Sequence, residues 1–132
     1  NWQSRIVAYR MDANGPIFNT QRLILAIDQP QGDHNGGHLI TDPDGRLIVG
    51  LGDGAVVKEV GDPYGHSQDL TTLLGALLRI TPTPDDDSAY LIPTDNPFVG
   101  LLGIVGKEVV YLLQRRRQAG QVEGYTANQS FL

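Results

Sequence analysis

Apolar and polar positions alternate from residue 5 to 11, with Val7, Tyr9 and Met11 on one face and Ile6 and Ala8 on the other. That two-residue period predicts a β-strand. Asp12-Ala13-Asn14-Gly15-Pro16 is a turn, and the run Arg22-Leu23-Ile24-Leu25-Ala26-Ile27 has the length of a strand buried on both faces. A second pair follows. Leu39-Ile40 and Leu47-Ile48-Val49 flank Asp42-Pro43-Asp44-Gly45, where Pro presets φ and Gly accepts a positive φ, so the segment predicts a hairpin. Residues 62–69 form a polar loop, Asp69 is placed to cap a brief helical turn over residues 70–74, and Ala76-Leu77-Leu78-Arg79-Ile80 returns to strand. After the Pro- and Asp-rich residues 81–88 come the short apolar Ala89-Tyr90-Leu91-Ile92, an irregular connection over 93–98 and a further candidate strand over 107–113. Short strands separated by turn signals predict an all-β sandwich, barrel or propeller. No internal repeat is strong enough to count blades.

Composition supports that class. Sixteen Gly and eight Pro in 132 residues demand many turns, and 40% hydrophobic content suffices for one ordinary core. The absence of Cys excludes a disulfide framework and any thiolate metal site. The chain opens on Asn1 and Trp2 without a charged-then-apolar leader, as if cut from the middle of something, and no apolar run approaches the ~20 residues of a membrane helix. The net charge of −5 disfavours nucleic acid and anionic membranes as partners. Its distribution adds a boundary: residues 1–106 carry −7 and residues 107–132 carry +2. We therefore expect one β-rich unit over 1–106 and a divergent strand plus poorly ordered tail over 107–132.

The candidate chemistry sits around the central hairpin. Gly32-Asp33-His34-Asn35-Gly36-Gly37-His38 leads into its first strand and Gly52-Asp53-Gly54 leaves its second. In an antiparallel pair those two loops lie at the same sheet edge. His34 and Asp53 are then neighbours, an ionisable imidazole beside a carboxylate, which is an arrangement for proton transfer. Other motifs have plainer readings. His34 and His38 have the spacing of a helical zinc pair, but Gly36 and Gly37 argue against a helix there. His38 is expected to pack or to face solvent. The Asp42–Gly45 segment is a turn rather than a calcium loop, because Arg46 stands where a ligand belongs. Gly50-Leu51-Gly52-Asp53-Gly54 lacks the Gly-Lys-Ser/Thr of a phosphate loop, and Asp85-Asp86-Asp87 reads as a solvated loop.

The His34 block, the stretch Asp62-Pro63-Tyr64-Gly65-His66-Ser67-Gln68-Asp69-Leu70-Thr71-Thr72-Leu73-Leu74-Gly75 with Leu77-Leu78-Arg79-Ile80, and Tyr90-Leu91-Ile92-Pro93-Thr94-Asp95-Asn96-Pro97-Phe98 occur in an order that resembles the glucose/sorbosone dehydrogenase family. Those are six-bladed β-propellers that use pyrroloquinoline quinone (PQQ) and calcium. The resemblance covers roughly residues 5–108 and implies about two blades of a propeller. It implies that His34 takes the proton from the anomeric hydroxyl of a sugar while hydride passes to the quinone. It further implies that Asp53 orients that imidazole and that Asp33 lines the substrate pocket. Members of the family are periplasmic or secreted.

The departures are equally specific. Where the family continues with an Arg-Asn pair that helps grip the quinone, this chain has Arg115-Arg116, so only Arg115 matches. The Lys expected after Gly75 is Ala76, and the family's calcium ligands lie beyond the chain. The expected function is therefore that of a fragment of a quinone-dependent aldose dehydrogenase, inactive alone. A non-catalytic propeller resembling hedgehog-interacting proteins and a non-functional truncated fragment are the alternatives. Open blade edges invite self-association.

Overall fold

The computed structural model describes residues 2–55, 65–84 and 88–100, and the backbone of 109–112. It consists of two antiparallel sheets. The first is a long hairpin of β1 (Trp2–Asp12) and β2 (Gly15–Gln29). Its turn is shorter than the sequence suggests: Asp12 already pairs with Gly15, and the Asp12 carboxylate accepts the Asn14 N–H at 2.7 Å. Register shifts at Ile6/Val7 and Ala8/Arg10 break the simple alternation of β1. The aromatic pair Tyr9 and Phe18 meets edge to face at 5.7 Å.

The second sheet holds β3 (Gly36–Thr41), β4 (Leu47–Leu51), β5 (Ala76–Pro82), β6 (Tyr90–Leu91) and β7 (Val109–Leu112). The expected hairpin is present, with Leu39 opposite Val49 and Thr41 opposite Leu47. β4 then pairs with β5, and β6 and β7 share the other edge of β5. All pairings are antiparallel, and among the described residues the only helical element is a single 3-10 turn (His66–Gln68). No helix there is long and apolar enough to cross a membrane.

The core lies where the two sheets meet. Ile27 of β2 packs with Val49, Leu51, Leu74, Ala76 and Leu78. Arg22 reaches from β2 to the main-chain carbonyls of Thr83 and Ala89, fastening the first hairpin to the far end of β5. At the Asp42–Gly45 turn, Arg46 pairs with Asp42 (2.7 Å), Asp44 (2.5 Å) and Asp95 (3.2 Å), and Arg79 adds a second bond to Asp95 at 3.0 Å. Burial pushes the Asp42 carboxyl up, but hydrogen bonds from Arg46 and the Asp44 N–H outweigh it and hold it below the usual range. Arg46 supplies the counter-charge to the carboxylates of this turn.

Two expectations are corrected. β2 is not buried throughout its apolar run: Ile24 and Ile27 are buried, whereas Leu23 and Ala26 are exposed, and the register shift opposite Ile6/Val7 interrupts the alternation there. The helical turn lies over His66–Gln68, one step before residues 70–74, with Asp69 at its C-terminal end. The Asp69 carboxylate instead accepts the Thr71 N–H and hydroxyl, a local Asx turn that competes with a cap. Asp85-Asp86-Asp87, the expected boundary near Gly106 and the expected tail lie outside the described residues.

Candidate active site

His34 and Asp53 are brought together by the hairpin between them. β3 and β4 run antiparallel from the Asp42–Gly45 turn, so the residues before β3 and after β4 return to one edge. There the His34 Nδ1 lies 3.1 Å from Asp53 Oδ1. The main chain makes this approach possible. The His34 carbonyl accepts the Gly54 N–H at 3.0 Å, and a Cβ at Gly52 would stand 1.8 Å from that carbonyl oxygen, so only glycine fits. His34 itself has φ 55°, a left-handed conformation that costs a non-glycine residue about 1–2 kcal/mol. Such outliers concentrate at functional sites.

An ionised carboxylate accepts only, so the bond places the imidazole proton on Nδ1 and, in the neutral ring, the lone pair on Nε2. The Asp53 Oδ1 also accepts the Ala55 N–H at 3.1 Å, a second bond that helps hold the carboxylate. The His34 side chain is 40% exposed and that of Asp53 is 18% exposed. The pair is thus an oriented imidazole, open to a small molecule, backed by a more sheltered carboxylate. In chemical terms such a pair can serve as a general base.

Asp33 is exposed one residue before His34. His38, on β3, is also exposed. Arg115 lies outside the described residues. One residue that sequence reasoning missed touches the site: His66 places Nδ1 2.7 Å from the main-chain carbonyl of Asp53. Nothing local signals it, because the contact joins a polar loop to a turn thirteen residues earlier.

Residues 1–124 match the Glucose / Sorbosone dehydrogenase family. Among curated proteins, the chain is 33% identical over 87 residues to the HIPL1 protein of Arabidopsis thaliana, an alignment covering 58% of this chain and 12% of that protein. It is 31% identical over 97 residues to the hedgehog-interacting protein of Homo sapiens, covering 70% of this chain and 13% of that one. Among solved structures it superposes on a glucose dehydrogenase with a TM-score of 0.60 and 27% identity, over 80% of this chain and 27% of the other. The chain therefore spans about an eighth of the length of these curated relatives. With an antiparallel all-β architecture that follows a glucose dehydrogenase propeller, and a family match over nearly its whole length, the chain belongs to the glucose/sorbosone dehydrogenase family.

Proposed function

We propose that this chain carries the proton-accepting half of a sugar-oxidising site, with His34 as the general base and Asp53 as the residue that orients it. The observation that carries the reading is the 3.1 Å bond between His34 Nδ1 and Asp53 Oδ1, which supports Nε2 as the atom that meets the substrate. An aldose hydroxyl within hydrogen-bonding reach of Nε2 gives up its proton there, while the hydride on the same carbon leaves to a quinone-type acceptor. Asp33, on the same loop, is proposed to contact the sugar. The described residues fit only this half. Among them no group of three or more His, Asp or Glu is placed to hold a metal ion, and Arg115 is the residue that the family resemblance matches to the quinone grip.

A chimaera tests the reading, with this chain replacing the matched segment of the glucose dehydrogenase. Aldose-dependent reduction of an artificial acceptor dye is expected to fall about 10²–10⁴-fold on His34→Ala, the usual worth of a general base. Dye reduction indifferent to His34→Ala would remove the base from the mechanism.

The likeness to the human hedgehog-interacting protein supports a second reading, a propeller used for binding a protein partner. It makes no demand on the His34 imidazole. Calorimetric binding of a hedgehog ligand that survives His34→Ala, without dye reduction in the chimaera, would favour it.

A further inference from the structure

Two imidazoles meet Asp53, and only one of them touches its carboxylate. His34 bonds Oδ1, whereas His66, on the 3-10 turn, bonds the main-chain carbonyl of the same residue at 2.7 Å. A carbonyl oxygen only accepts, so Nδ1 of His66 carries the donated proton. The preceding carbonyl, of Gly52, accepts the Gly75 N–H at 2.7 Å. Residues 65–75 therefore hold two successive carbonyls of the turn that presents Asp53. Their own placement is tight: Ser67 is buried, and a Cβ at Gly75 would lie 2.6 Å from the Ser67 Cα. On the His34 side the main chain of that turn is held by the bond from Gly54 N–H to the His34 carbonyl.

We propose that His66 is a positioning residue for the His34–Asp53 pair, holding the Asp53 main chain where its carboxylate meets His34 Nδ1. This rests on the reading of His34 as the base. At 3.1 Å the His34–Asp53 bond is already near the long end of the usual range. A shift of a few tenths of an ångström at the turn opens it, and the imidazole loses its tautomer. His66 does this from the side of the peptide group, without touching substrate.

The test reads the tautomer directly, by ¹⁵N–¹H correlation spectra of the histidine-labelled 132-residue chain above the imidazole titration range. In the unsubstituted chain the proton of His34 is expected on Nδ1. His66→Asn places an amide nitrogen where Nδ1 stood and should preserve that signature. His66→Gln moves the donor one bond farther out and should lower the Nδ1–H to Nε2–H ratio of His34 about three- to tenfold, what one hydrogen bond is worth. An unchanged ratio in His66→Gln overturns the proposal. So does loss of the protected β3–β4 amides in both variants, since His66 would then hold up the fold rather than aim Asp53. If the unsubstituted chain shows no Nδ1 preference, the failure lies in the reading of the pair itself, and His66 has nothing to position.

Discussion

At Gly52 the chain has no room for a side chain: a Cβ would stand 1.8 Å from the His34 carbonyl oxygen and 3.2 Å from the Gly36 nitrogen. These are main-chain atoms, so they yield only if the loop before β3 moves away from the turn after β4. The same carbonyl holds the Gly54 N–H, and that separation also sets the distance from His34 to Asp53. Gly52→Ala should therefore destabilise the chain by about 1–3 kcal/mol, as overpacking does, and should abolish the Nδ1–H signature of His34. Gly50→Ala is the matched control, because its Cβ would meet Leu77 Cδ2 at an ordinary 3.5 Å. Urea unfolding midpoints of the two variants check the difference; equal midpoints would mean that the close approach at Gly52 is not enforced.

β5 is the element on which the larger sheet depends, with β4 along one edge and β6 and β7 along the other. Its inward residues Ala76, Leu78 and Ile80 are each 0% exposed. Leu78→Ala is expected to cost about 2–5 kcal/mol, a large share of the 5–15 kcal/mol that holds a typical domain folded. Leu91→Ala, at a side chain 52% exposed, should cost no more than about 0.5 kcal/mol; denaturant titration separates the two, and a small loss at Leu78 would show that the sheet repacks around the gap. The element scale is also where the sequence was most and least legible. The Asp42–Gly45 hairpin could be read because Pro and Gly fix a turn locally, and a fixed turn forces His34 and Asp53 to one edge. The burial of β2 is not legible because an unbroken apolar run carries no alternation to reveal that Leu23 and Ala26 are exposed. The 3-10 turn was displaced because Asp69 bonds Thr71 ahead of it, and a cap and an Asx turn share one residue type. His66 escaped for a different reason: its bond to Asp53 is tertiary, and no spacing in the sequence encodes it.

Over the whole molecule, the proposed base is one part of a larger site. The hairpin assembles an oriented imidazole at one edge, whereas the chain covers only 27% of the glucose dehydrogenase it superposes on. Its described surface leaves β3 exposed along its full length, with Leu39 46% and Ile40 53% exposed, and Trp2, Met11 and Phe18 still more open on the first hairpin. A general base alone contributes only about 10²–10⁴-fold, and that gain is expressed only when a hydride acceptor is bound and aligned beside the sugar. Among the described residues no metal-holding cluster accompanies His34. The isolated 132-residue chain is therefore expected to show no aldose-dependent dye reduction, with or without added quinone and calcium, and His34→Ala should leave that blank unchanged. Size-exclusion chromatography run alongside decides how a contrary result is understood. Turnover that requires His34 and follows an oligomer peak would overturn the expectation, and would mean that several copies can close around one another to build a working site.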